Sequence, residues 1–274
     1  MIIMSKKKVI NFQTALKHEA FPIIDYFNLT PYYKGIKNIF SNREENIFLI
    51  ISGIGIQNTK NAITSLCKLK HYNEDNLWVN IGLAGHKSLK VGSIFEIKKV
   101  VSNIHNKVFF TNSYYNKLPV YTACCVNTEE KIYKKKYLYD MESFGFLESL
   151  DNLTIKENIF MFKIVSDNLK SKPINYKNFA ISYISKHIEK INNILNGYRY
   201  NYTQNFNDIT WILNMVKKKY HVTFYNEKKL EKILTKISVI KNKQEIKREV
   251  LISKSLNSLI IKLETYILKY LLKI

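Results

Sequence analysis

Three carboxylates in this 274-residue sequence stand where the backbone enters or leaves a regular element, and between them they could run acid–base chemistry. Glu19 lies in Ala15-Leu16-Lys17-His18-Glu19-Ala20, between a short apolar strand and a helix. Glu142 lies in Tyr139-Asp140-Met141-Glu142-Ser143-Phe144-Gly145, between a methionine and a small residue at the start of another helix. Asp167 follows Ser166 at the end of an apolar run, Ile159 to Val165. Strand exits and helix starts are where α/β folds gather reactive groups, because the backbone there leaves the packed layer and faces a crevice. Taken singly, each carboxylate is more simply a solvated or capping residue. Their value lies in the set.

Other chemistries find less support. Ser52-Gly53-Ile54-Gly55 and Gly82-Leu83-Ala84-Gly85 read as glycine turns after buried strands, and each could turn backbone N–H groups toward a polar ligand. Neither is a P-loop or a dinucleotide fingerprint. No G-x-S-x-G elbow supports a serine nucleophile. Histidines 18, 71, 86, 105, 187 and 221 lack metal-ligand spacing and read as ordinary surface or core residues. Three cysteines, with Cys124 and Cys125 adjacent on a strand, give neither a disulfide framework nor a zinc motif; one of the pair is expected to point inward and the other outward.

The elements that position the carboxylates follow the order of an α/β domain. Lys8 to Phe12 reads as a first strand, followed by a helix through Tyr26 and Phe27 that tolerates Pro22 only in its first turn. Tyr32 to Phe40 and Asn46 to Ile51 read as strands, the second buried on both faces. Gln57 to Lys70 is an amphipathic helix. Further strands are expected at Leu77 to Ile81, from Val91, at Val108 to Thr111 and at Leu118 to Cys125, with helices over Met141 to Leu150 and Ile181 to Leu195. The pattern predicts an α/β domain with a mixed sheet over residues 1–204. Residues 205–274 form a lysine-rich helical extension, with helices over Trp211 to Lys219, Glu227 to Ile240 and Gln244 to Ile274. In the last of these Leu251, Leu256, Leu259, Ile260, Leu263 and Ile267 recur at helical spacing with lysines between them, an amphipathic pattern. Such an amphipathic helix packs on the domain or a partner, or adsorbs to anionic lipid.

The formal net charge is +21, yet only Arg43, Arg199 and Arg248 are arginines. Arginine is the favoured residue for bidentate phosphate and guanine contacts, so specific nucleic-acid readout is not expected. No apolar run is long enough to span a bilayer, and the charges of Met1 to Lys8 follow a very short apolar piece, the wrong order for a signal peptide. The reading is a reduced, cytoplasmic protein.

Five blocks occur in the order found in the purine nucleoside phosphorylase and nucleosidase superfamily. They are Ala15 to Ala20, Ser52 to Gly55, Asn80 to Gly85 with Leu89 to Ser93, Asp140 to Ser143, and Val165 to Asp167. The chain most resembles the 5′-methylthioadenosine/S-adenosylhomocysteine nucleosidase branch, over roughly residues 8 to 200. The resemblance implies a three-layer α/β/α fold around a mixed central sheet. It also implies cleavage of the bond between ribose C1′ and a purine, with no cofactor or metal, in a homo-oligomer, a dimer first of all, serving methionine salvage. By position, Glu19 would activate the attacking water and Asp167 would protonate or hydrogen-bond purine N7. Ser52, Gly53, Ala84, Gly85, Met141, Glu142 and Ser166 would bind substrate, Glu142 by gripping the ribose hydroxyls. These roles suit the reaction, since expelling a purine creates an anionic leaving group and an oxocarbenium-like sugar.

The chain departs from the family pattern at Lys17 and His18, where acidic residues are common, at Leu83, where a small hydroxyl residue is usual, and at His86-Lys87. Tyr121, Tyr133 and Tyr137 are the candidates for stacking on the base. Two alternatives stay open: a phosphorylase using phosphate as nucleophile, and a non-catalytic binding protein on the same fold.

Overall fold

The computed structural model describes residues 8–32, 38–69, 72–105, 107–111, 117–237 and 241–271, with no side-chain description for 200–208, 270 and 271. The first seven residues, His71 and the middle of the strand expected over Tyr32 to Phe40 lie outside the described residues. The chain divides into two compact units, Lys6–Asn196 and Gly197–Ile274.

The first unit is built on a mixed ten-stranded sheet. Its strands are β1 (Ile10–Thr14), β2 (Thr30–Pro31), β3 (Ile39–Ser41), β4 (Ile47–Ile51), β5 (Leu77–Gly85), β6 (Ile94–Ser102), β7 (Val108–Phe110), β8 (Val120–Cys125), β9 (Leu138–Asp140) and β10 (Ile159–Asp167). β1 pairs in parallel with β4 and β5. β5 also pairs with β10 in parallel and with β9 antiparallel, while β10, β6, β8 and β9 are joined in turn, so these five strands, β5 among them, close into a ring. Here β8, a strand of this ring, is covered on both faces at its end. Hence Cys124 and Cys125, expected to point one in and one out, are both buried, each in a different apolar cluster.

Three layers result. On one face α2 (Ile56–Cys67) and α3 (Ser143–Leu150) lay Ala62, Ile63, Leu66, Phe144, Leu147 and Leu150 against Phe48, Trp78 and Met161. Gly145 lets α3 approach α2 closely, since a Cβ there would stand 2.5 Å from the Ile56 carbonyl oxygen. On the other face lie α1 (Lys17–Phe27), whose Phe27 ring packs 5.3 Å from Phe12, and residues 176–196 of α4 (Tyr176–Lys219), which bury Ile184, Ile188 and Ile191.

Two local expectations need correction. Pro22 sits at the sixth position of α1, beyond the first turn, so the His18 carbonyl loses its intrahelical donor. Gly82 to Gly85 do not turn: they continue β5, because β10 pairs along them from Lys163 opposite Gly82 to Asp167 opposite Gly85.

The second unit gathers the end of α4, α5 (Phe224–Ile237), α6 (Lys243–Ile252) and α7 (Leu256–Leu271) around Ile212, Val216, Leu230, Leu234, Ile246, Leu259 and Leu263. The helix expected over Gln244 to Ile274 is two helices. Ser253 is extended (φ −70°, ψ 135°), and the Ser255 hydroxyl accepts from the Ser258 N–H at 3.1 Å to open α7. The break leaves Leu251 exposed while Leu256, Leu259, Ile260 and Leu263 are buried. At the start of α6, Asn242 and Glu245 each accept from the other's backbone N–H, at 3.0 and 2.9 Å, a reciprocal cap. Among the described residues no helix is long and apolar enough to cross a membrane.

Candidate active site

A cavity of about 360 Å³ opens at the carboxyl ends of β1, β5 and β10. It is within the range of small-molecule pockets. Glu19, Ala84, Gly85, Met141, Glu142, Ser166 and Asp167 all line it. Ser52 and Gly53 do not. The Ser52 hydroxyl is spent on the Thr14 and Gly53 carbonyls at 3.2 and 2.7 Å, and the loop instead sends Ile54 to the cavity.

Glu19 is placed by the first turn of α1. One carboxylate oxygen accepts from the N–H groups of Ala15 and Leu16 at 3.0 and 2.9 Å, and the other from Leu83 N–H at 3.2 Å. Burial pushes its pKa up, against the pull of those amides and of the Lys163 ammonium. Leu83 therefore contributes its backbone N–H to the site.

Glu142 precedes α3, and its carboxylate accepts from Gly55 N–H at 2.9 Å, at the mouth of α2. Burial first, and then the charge of Asp140, raise its pKa to about 7, with Lys163 and the Gly55 amide opposing. Asp167 owes its position to a bulge. The β10–β5 register shifts between Val165 and Asp167, so Ser166 and Asp167 both reach the cavity where plain alternation would send one of them into the core. The Ser166 hydroxyl donates to Asp167 at 2.6 Å, and the Tyr133 hydroxyl donates to its other oxygen. Burial and then Asp167 hold the Tyr133 phenol well above its ordinary range.

Behind these groups lies a residue that the sequence reading passed over. Lys163 is fully buried in the middle of β10 and pairs with Asp140 at 2.6 Å. Burial works against its ammonium, but Asp140, and after it Glu142 and Glu19, more than offset this and hold its pKa high. Both Lys163 Nζ and Glu19 Oε1 sit over Gly82, 3.3 and 3.5 Å from where a Cβ would stand. Asp140 also accepts from Ser143 N–H and hydroxyl at 3.0 and 2.5 Å. The signal was a lysine interrupting an otherwise apolar strand.

Further lining residues, His18, Glu129, Glu130, Tyr139 and Tyr176, were also missed. Of the stacking candidates, Tyr133 lines the cavity. Tyr121 and Tyr137 are not among the lining residues; the Tyr121 hydroxyl stands 3.0 Å from Nε2 of the buried His86. His86 is more than an ordinary core histidine. Its Nδ1 accepts from Ser88 and Leu89 N–H at 2.9 Å each, so its proton sits on Nε2, facing Tyr121, and its own N–H donates to the Asp167 carbonyl at 3.0 Å. Among the described residues no three His, Cys, Asp or Glu side chains converge as a metal-binding group. Six carboxylates line the cavity of this strongly basic chain, and its lining contains no lysine or arginine among the described residues.

No family model matches the sequence, and no curated protein matches it significantly. Solved structures do match its fold. The 5′-methylthioadenosine/S-adenosylhomocysteine nucleosidase of Helicobacter pylori superposes with a TM-score of 0.57 at 13% identity, covering 70% of this chain and 99% of that one. The 5′-methylthioadenosine nucleosidase of Arabidopsis thaliana gives 0.56 at 16%, covering 69% and 96%. The nucleosidase of Campylobacter jejuni gives 0.55 at 14%, covering 67% and 96%. The chain has the nucleoside phosphorylase-like α/β fold of these nucleosidases, followed by helices of its own.

Proposed function

We propose that the protein hydrolyses the N-glycosidic bond of a purine nucleoside, releasing adenine from a substrate such as 5′-methylthioadenosine or S-adenosylhomocysteine. The observation that carries this reading is the placement of Glu19, Glu142 and Asp167 around one cavity on a nucleosidase-like fold. Glu19, fixed by three backbone amides, takes a proton from water as the water oxygen bonds to C1′. Glu142 accepts from the ribose hydroxyls. The C1′–N9 electron pair departs with the base, and Asp167 supplies a proton or hydrogen bond at N7. The same reading carries a cytoplasmic homodimer serving methionine salvage.

Water is favoured over phosphate as the nucleophile by the cavity's charge. A phosphate dianion would meet six carboxylates and no lining cation, and burying it without paired donors is costly. Incubating the protein with a panel of nucleosides, with and without phosphate, should give free base and free sugar at a rate indifferent to phosphate. Strict phosphate dependence with ribose 1-phosphate as product would promote the phosphorylase reading, and no turnover of any nucleoside would leave the binding-protein reading.

Two further results are expected. Asp167→Asn should slow purine release strongly, yet slow far less a nucleoside whose leaving group departs without protonation. Equal losses on both would give Asp167 a binding or structural role. Glu142 grips hydroxyls as a carboxylate, so kcat/KM should rise with pH through about 7, and that limb should vanish in Glu142→Gln. The stability sign is opposite. The folded state holds this proton more tightly than the unfolded chain, whose carboxyl titrates near 4.5, so stability from this group falls as pH climbs between the two values.

A further inference from the structure

Two of the turns of the C-terminal unit, α4–α5 and α6–α7, lie side by side. Lys219, at the end of α4, donates to the carbonyls of Val250, Leu251 and Ser253 at 2.9, 2.5 and 2.9 Å. The Tyr220 hydroxyl donates to Ser253 at 2.6 Å. These bonds tie the α4–α5 turn to the α6–α7 turn and make one end of the bundle a single tip.

Four large apolar side chains stand exposed on that tip: Phe224 at 77%, Tyr225 at 75%, Leu251 at 57% and Ile252 at 56%. None belongs to the apolar core of the unit. Around them stand exposed Lys217, Lys218, Lys219, Lys228 and Lys254. The acids close by are engaged: Glu227 pairs with Lys217 at 2.6 Å, Glu231 with Lys228 at 2.8 Å, and Glu249 with Lys262 at 2.6 Å. Lys218 and Lys254 have no acidic partner within ion-pair distance among the described residues.

Apolar tips on turns, ringed by ammonium groups on flexible stems, match the layering of a bilayer surface. The apolar groups enter the headgroup–acyl boundary while lysines stay at headgroup level. We propose that this tip docks the protein onto an anionic lipid surface, Phe224, Tyr225, Leu251 and Ile252 inserting and Lys218 and Lys254 meeting lipid headgroups. This goes beyond the glycosidase reading and stands without it.

The test is co-sedimentation of the full-length protein with vesicles of phosphatidylcholine alone or with about a third phosphatidylserine. A chain with net charge +21 is drawn to any anionic surface, so the controls decide. Binding is expected on the mixed vesicles only. Phe224→Ser with Leu251→Ser should weaken it about tenfold or more. Lys218→Glu with Lys254→Glu should weaken it at least as much, and more than Lys232→Glu with Lys236→Glu, the same charge change placed further along α5. Circular dichroism and melting temperature verify that each variant is folded. Equal losses from both charge pairs, or no loss from the serine pair, would reduce the effect to diffuse attraction and overturn the proposal. Absence of vesicle binding would overturn it too. So would a tip-dependent self-association in light scattering that the serine pair abolishes, which would give the surface to a second copy of the chain.

Discussion

Glu19→Gln should lower turnover by about two orders of magnitude or more, the loss expected when a positioned base is removed. The carboxylate is acceptor-only and meets three backbone N–H groups, two on one oxygen and one on the other. Glutamine keeps the shape but has one oxygen to offer. With that oxygen on Ala15 and Leu16, its NH₂ faces the Leu83 N–H, donor against donor. A modest fall in melting temperature should therefore accompany the loss, from one unsatisfied amide at about 1–3 kcal/mol. The decisive number is turnover per folded molecule. Near-normal turnover would remove Glu19 from the mechanism, whatever the melting temperature does.

Lys163→Met should cost about 3–5 kcal/mol of stability, read from urea unfolding. The methionine matches the apolar stem of the lysine but leaves Asp140, fully buried, without its cation. The pair itself need not be stabilising, because desolvating two charges offsets much of their attraction. Removing one partner exposes the full cost of the other. Lys163→Arg should retain most of the stability, and Lys163→Met with Asp140→Leu should recover part of what the single change loses. A single Lys163→Met variant within about 1 kcal/mol of the parent would mean that Asp140 is satisfied by Ser143 alone.

Glu19, Glu142 and Asp167 were legible because each sits beside a break in the apolar pattern, where chemistry and punctuation coincide. Lys163 was not, for a related reason. A charged residue inside an apolar strand reads as a gap in the pattern, and its partner Asp140 becomes its neighbour only through tertiary structure. Gly82 to Gly85 misled in the other direction. Glycine and alanine usually mark a turn, yet here small residues keep β5 extended while β10 passes beside it and Lys163 and Glu19 sit above Gly82. Glu129, Glu130 and Tyr133 come from a stretch with no periodicity to read. The break between α6 and α7 was obscured because Leu256, Leu259, Ile260, Leu263 and Ile267 set a helical period strong enough to absorb Leu251, which stands five residues ahead of Leu256 and off their face. The two polar residues that cap α7, Ser255 and Ser258, were the available sign of it.

The ring of strands that includes β5 also bears on the order in which the chain can fold. β1, β4 and α2 pair or pack with neighbours close in sequence, so they are able to form as the chain emerges. β5 takes one of its partners, β10, from about eighty residues downstream, and the ring closes only when β10 also reaches β6. Until then β5 has an open edge, Asp140 lacks Lys163, and Asp167 is not in place. The seam that closes last carries Lys163, Ser166 and Asp167, so a chain halted before residue 167 has much of its sheet, and Glu19 and Glu142, but an incomplete site. Hydrogen exchange during refolding should accordingly protect Phe12 and Leu49 amides before those of Phe162 and Ile164.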